Sequence, residues 1–157
     1  MYTLESIQNV PININTAWEF LSDPGNLSRI TPSSMDFRIT SEHRFQKMYP
    51  GLIISYTVKP LAGIPLNWVT EITHVNEPFH FVDEQRSGPY KFWHHQHFLK
   101  EIPGGTQMRD IVHYALPMGI LGNMANMLFI KNQLKTIFQF RKLKLIELFG
   151  EYQTADS

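Results

Sequence analysis

Cysteine is absent from this 157-residue chain, so disulfides, zinc ribbons and thiol nucleophiles are excluded. An excess of charge is absent too, because 14 Lys and Arg face 14 Asp and Glu. Such a balance gives no global field to recruit nucleic acid or an anionic membrane. No apolar run approaches the ~20 residues that cross a bilayer. The opening MYTLESIQNV lacks the basic and then apolar stretches of a signal peptide. The expectation is a soluble, cytoplasmic protein that neither binds nucleic acid nor enters a membrane. Glycine patterns that carry chemistry are missing as well. No serine sits in a nucleophile elbow, and Pro103–Gly105 reads as a hairpin turn rather than a phosphate cradle.

Aromatic residues are plentiful by contrast, at 13%, with eleven Phe beside seven Met. Large soft side chains fill a core, and equally line an adaptable apolar cavity. Length suits one domain over residues 1–150, with 151–157 as a flexible tail. Leu4, Ile7 and Val10 mark an opening strand that Pro11 interrupts. Asn15 is a plausible cap for a helix over Thr16–Ser22, and Asp23–Pro24 starts a second short helix that stops at Pro32. Strand signals follow. Leu52, Ile54, Tyr56 and Val58 share one parity, as do Leu66, Trp68, Thr70 and Ile72. Short connections between such runs imply an antiparallel meander. After Pro117 the period lengthens: Leu121, Met124, Leu128, Leu134, Phe138, Leu145 and Phe149 recur at helical spacing, with no proline from Gly119 to Gly150. Strands first and a long helix last indicate an α+β fold of about seven strands, with two short helices after the first. The helix is the element long enough to cover a curved sheet.

Three of the seven histidines fall within four residues of GPYKFWHHQHFLK, Gly88–Lys100. If Glu101 pairs with Thr106 across IPGG, then Leu99 pairs with Met108, His97 with Asp110, His95 with Val112 and Trp93 with Tyr114. Alternation puts Trp93, His95, His97, Asp110 and Tyr114 on one inward face, and leaves His94 and His113 on the other. A carboxylate against an imidazole fixes its tautomer and raises its basicity. Three explanations stay open. The pair His97 and Asp110 is an internal polar contact that sets register; or the cluster orients a bound organic molecule; or His95, His97 and Asp110 form a two-His-one-carboxylate metal set. The last lacks an obvious further ligand, so no metal or cofactor is expected. Asp83 and Glu84 lie on opposite faces of a strand and form no acid–base couple. Trp18 and Trp68 read as core ahead of site, and the lysines of the last helix as a solvated face.

PININTAWEFLSDPGNLSRITP, GPYKFWHHQHFL, GGTQMRDIVHYALPMG and IFQFR, in this order of elements, resemble the SRPBCC superfamily, the START-like, helix-grip group that includes polyketide cyclase/dehydrase relatives and pollen-allergen-type proteins. The likeness runs from about residue 2 to 150, and is strongest to bacterial members with a W-x-H-x-H strand followed by D-x-V-x-Y. It implies a deep cavity between sheet and terminal helix for an apolar ligand such as a lipid, quinone, sterol or polyketide. Under it, Tyr56, Trp68, Met124 and Leu128 join Trp93, His95, His97, Asp110 and Tyr114 as expected ligand-binding residues. The first functional expectation is a non-enzymatic binder, monomeric or weakly dimeric. The alternative is a cyclase, dehydratase or isomerase in which His97, backed by Asp110, is the general base and Tyr114 an oxyanion donor.

Overall fold

Alternation decides the strands, and a seven-residue repeat of buried positions decides the long helix. The computed structural model describes residues 1–41, 47–61, 64–117 and 124–153. Strand β1 spans Tyr2–Val10, helix α1 Ile14–Leu21, and two 3-10 helices Pro24–Ile30 and Ser33–Met35. Then come β2 (Arg38–Ile39), β3 (Ile53–Leu61), β4 (Ile64–Asn76), β5 (His80–Ser87), β6 (Phe92–Ile102), β7 (Gly105–Ala115) and helix α2 (Met124–Phe149). The strands make one antiparallel sheet in the order β1-β7-β6-β5-β4-β3-β2. This is the expected α+β, helix-grip architecture.

Of the expected apolar row, Leu52, just before β3, and Ile54 and Val58 within it are buried, and Trp68, Thr70 and Ile72 of β4 likewise. The β6–β7 register is the one the hairpin implied: Trp93 opposite Tyr114, His95 opposite Val112, His97 opposite Asp110 and Glu101 opposite Thr106. The turn itself is tighter than the four-residue loop expected, because Ile102 still pairs with Gly105. Pro103 and Gly104 alone make the bend. Gly104 sits at φ +73°, the conformation a Pro-Gly turn requires of its second residue. The first helix is capped by Asn13 and not Asn15. Asn13 has extended backbone and its side chain accepts from the Thr16 amide at 2.9 Å, whereas Asn15 lies inside the helix. Asp23 caps the next segment as expected, by accepting from the Gly25 amide, although the segment winds as a 3-10 helix.

Helix α2 turns Ile130, Leu134, Phe138, Arg141 and Leu145 inward, at steps of four, four, three and four. Its expected beginning at Gly119 and the position Leu121 lie outside the described residues. Of the expected tail, Tyr152 donates its hydroxyl to the Pro103 carbonyl at 2.6 Å, and residues 154–157 lie outside the description.

The core divides into two clusters. One gathers α1, the sheet near Phe81 and Leu99, and Leu145; Trp18 meets Phe81 edge-on at 5.7 Å. The other gathers Val112, Tyr114 and Leu116 under Ile130, Leu134 and Phe138. Between them lies a hollow of about 190 Å³.

At the β1–β7 end the backbones close up, and a Cβ on Gly105 would overlap the Val10 carbonyl oxygen. Gly105→Ala is therefore expected to destabilise the fold by ~1–3 kcal/mol, the usual cost of overpacking. Urea unfolding measures it, and an unchanged midpoint would contradict the packing described.

Candidate functional site

The site begins with parity. On β6, His95 and His97 point to the same side as Trp93, and both are buried at 7% exposure. On β7 the same side carries Asp110 and Val112, and on β5 Asp83 stands opposite His95. Strand spacing then brings the two imidazoles into contact, with ring centroids 3.7 Å apart. Phe81 stacks on the outer face of His97 at 4.0 Å, and Phe138 from α2 meets His95 at 5.8 Å. The result is a four-ring pile joining one core cluster to the other.

Each edge of the imidazole pair is closed by a carboxylate. Asp83 Oδ2 lies 2.7 Å from His97 Nε2 and 3.4 Å from His95 Nδ1. Asp110 Oδ1 lies 2.9 Å from His97 Nδ1 and 3.2 Å from His95 Nε2. The 2.9 Å approach lacks the alignment of a full hydrogen bond. Arg141 completes the group, with Nη1 3.5 Å from the same Asp110 oxygen. Two carboxylates thus meet four ring nitrogens and one guanidinium. A neutral imidazole carries one N–H and one lone pair. Between two carboxylates the lone pair would face an oxygen, so the ring with the closer contacts is best held as an imidazolium. That ring is His97. With His97 and Arg141 positive and Asp83 and Asp110 negative, the buried group is neutral, and burial of charge becomes tolerable.

Electrostatics follow the same division. Burial opposes charge on His97, but Asp110 and Asp83 outweigh it and hold its pKa above the ordinary value. Burial and the neighbouring His97 push His95 down. Burial works against ionised Asp110, yet Arg141 and the two histidines hold its carboxyl well below the usual range. Asp83 is lowered against burial by His95 and His97. Burial, reinforced by Asp83, pushes the Tyr56 phenol up.

The hollow between the clusters runs along this group. Sheet residues Ile54, Trp68 and Phe81 form its floor, and Leu134, Ile137 and Phe138 of α2 its roof. It reaches the surface beside Asp23 and Leu27. Of the residues named from sequence, Tyr56, Trp68, Trp93, His95 and His97 line it. Asp110 is not on that lining; it sits behind the histidines. Tyr114 packs in the second cluster against Tyr2, 5.5 Å between rings, and is likewise not on the lining. Leu128 is 55% exposed, because the helix turns Ile130 and Leu134 inward instead. The Met124 side chain falls outside the described residues. Asp83 and Arg141 enter the site without having been named for it. Asp83 was set aside because it has no acid partner on its own strand, whereas its partners lie across the sheet. Arg141 falls on the buried stripe of α2, where its charge gave the sequence no reason to place it. His94 and His113 lie on the opposite face as expected, with His94 Nδ1 2.6 Å from Glu84 and His113 Nδ1 3.1 Å from Thr3.

Two cavity-wall residues carry buried N–H groups, Trp68 Nε1 and Arg141 Nε, with no partner among the described residues.

No family model matches the chain, and no curated protein does. Solved structures do. A protein of Chromobacterium violaceum, CV1439, superposes with a TM-score of 0.72 at 11% identity, over 97% of this chain and 100% of its own. A START superfamily protein from Mycobacterium smegmatis gives 0.68 at 13% identity, over 94% and 99%. Ara h 8.0201 gives 0.63 at 13%, over 93% and 98%. The fold is START-like. At these identities the likeness speaks for the scaffold alone, and the START-like frame is what the resemblance of the four sequence stretches and their order implied. Among the described residues no helix is long and apolar enough to cross a membrane.

Two outcomes follow from the charge pattern. Because His97 gains protons more readily folded than unfolded, its stabilising contribution is full below its unfolded value of 6.5 and is lost as pH rises through the folded one. The stability gap between the wild type and His97→Gln should therefore narrow as pH climbs above 6.5; a gap that widens there would contradict the assignment. Asp110→Ala strands Arg141 and His97 in the interior, and is expected to cost ~3–5 kcal/mol by chemical denaturation.

Proposed function

We propose that this protein binds a hydrophobic small molecule, held in the hollow between the sheet and α2. One observation carries the reading: an apolar hollow of about 190 Å³ between the sheet and α2, walled by Ile54, Trp68, Phe81, Leu134, Ile137 and Phe138. Apolar walls supply affinity, at ~2.5 kcal/mol per 100 Å² of ligand surface removed from water. The volume matches this class. An apolar cavity of ~150 Å³ already takes up benzene, so about 190 Å³ admits a ring or a short branched chain at full burial. Larger guests of the lipid, sterol or quinone kind extend through the opening near Leu27. The START-like fold of the neighbours supports the same reading by analogy of scaffold.

Catalysis by a His97–Asp110 base pair, as in a cyclase, dehydratase or isomerase, draws less support. Both nitrogens of His97 face carboxylates, its pKa is raised, and Asp110 and Tyr114 stand off the lining. A general base needs a free lone pair within reach of the substrate proton.

Anilinonaphthalene sulfonate, an aromatic body with an anionic acceptor, is a direct probe. Its fluorescence should rise on addition of the protein with a saturable, 1:1 isotherm. Ile137→Trp, which fills the hollow from the helix side, should weaken that binding at least tenfold while leaving the far-UV spectrum unchanged. Native mass spectra of the purified protein should show an apolar adduct that the variant has lost. Absence of binding by the wild type, or equal binding by Ile137→Trp, would remove the reading.

A further inference from the structure

The geometry points to a mononuclear divalent transition-metal site, with Asp83, His95 and His97 as ligands, Asp110 as the residue that positions both histidines, and open coordination toward the hollow. Nothing in this inference requires an apolar guest.

Convergence is the first reason. Asp83, His95 and His97 come from β5 and β6, and each offers one ligand atom within 4.8 Å of the others. The two recorded separations from Asp83, 2.7 and 3.4 Å, bracket what an ion asks for. At metal–ligand distances of ~2.1 Å, neighbouring ligand atoms stand about 3.0 Å apart in octahedral and about 3.4 Å apart in tetrahedral geometry. All three residues also line the hollow, so the remaining coordination positions open onto it.

The second reason is independent of the first. A ligating imidazole needs its far nitrogen held by a carboxylate or carbonyl, which fixes the tautomer and aims the lone pair at the ion. Here a single oxygen, Asp110 Oδ1, lies beside the far nitrogen of both rings: it is hydrogen-bonded to His95 Nε2 at 3.2 Å, and it stands 2.9 Å from His97 Nδ1, a contact that needs a small ring rotation to align. Arg141 anchors that same oxygen from the helix. When both rings are neutral and carry their proton toward Asp110, both lone pairs point to the Asp83 side. The ion then takes the place of the proton that otherwise bridges His97 Nε2 and Asp83 Oδ2, and that proton goes to water.

Donor chemistry narrows the ion. Two imidazoles and one carboxylate, with no thiolate anywhere in the chain, suit Zn²⁺, Fe²⁺, Co²⁺ or Mn²⁺ rather than a soft or an all-oxygen ion. Asp83, Asp110 and Arg141 leave the ion with net positive charge, so an anionic or strongly basic oxygen from the hollow completes its shell. Against the three-ligand set weighed from sequence, Asp83 replaces Asp110, and Asp110 moves behind the rings.

The test uses the full chain without an affinity tag, stripped by chelator and dialysed, titrated separately with Co²⁺ and Zn²⁺. Expected are 1:1 calorimetric isotherms, visible d–d bands for Co²⁺ and displacement of Co²⁺ by Zn²⁺. His95→Ala and Asp83→Ala should each lose the 1:1 event, while Asp110→Asn should keep the stoichiometry and weaken affinity ~10–100-fold. The double variant His94→Ala/His113→Ala, which removes the outer pair on the same strands, should bind like the wild type. Circular dichroism establishes that each variant is folded. No 1:1 binding by the wild type, persistence in folded His95→Ala and Asp83→Ala, or loss in the outer-pair variant overturns the site. Unchanged affinity in Asp110→Asn overturns the positioning role.

Discussion

Two imidazoles in contact, closed on both edges by carboxylates, set the terms for everything around them. Four charged or chargeable groups on three strands must meet within hydrogen-bonding distance, and this pins β5, β6 and β7 in register and face. Arg141 then fixes the rotation of α2, because only one helix face can reach Asp110. Such an arrangement is a poor device for stability alone. Stripping water from several charges costs several kcal/mol per ion, and a well-packed apolar group of the same volume would serve the fold as well or better. Its place is the wall of a hollow rather than the middle of either core cluster, where perturbed ionisable groups make a candidate site.

The two halves of this group were unequally legible. His95, His97 and Asp110 could be placed because a Pro-Gly turn ties β6 to β7 within a few residues, and pairing distance from the turn dictates every partner. Asp83 had no such tether. The connection SGPYK between β5 and β6 carries no turn signal that fixes register, so the pairing of Asp83 with His95 emerges from the sheet and not from the string of letters. Arg141 shows a different failure. Spacing from Leu134, Phe138 and Leu145 puts it on the inward stripe, whereas a guanidinium by itself favours solvent, so only its buried carboxylate partner explains its place. Had the buried carboxylate been counted as a creditor for a cation, the helix offered one at the right step.

The scaffold was more transparent than the chemistry for a physical reason. Parity in strands and a stripe on a helix are repeated many times along the chain, so single exceptions such as Leu128 do not hide them. A site is written once. Superposition at 11–13% identity makes the same point, since a sheet and helix can be conserved in space while few of the individual side chains are. Tyr114 belongs here too: it shares the inward parity of Asp110, yet sits two same-face pairs further along β7, where it packs against Tyr2 in the second cluster.

The strand order has its own consequence for how the chain comes together. From β3 to β7 each strand neighbours the next in sequence after a few residues, so every ladder among them can zip from a short connection. Only β1, which pairs with β7 from Tyr2–Tyr114 to Val10–Thr106, joins distant parts of the polypeptide. Loop-closure entropy is therefore concentrated in one late docking event. The strands that supply the histidines and carboxylates can assemble before the amino terminus arrives to seal the edge.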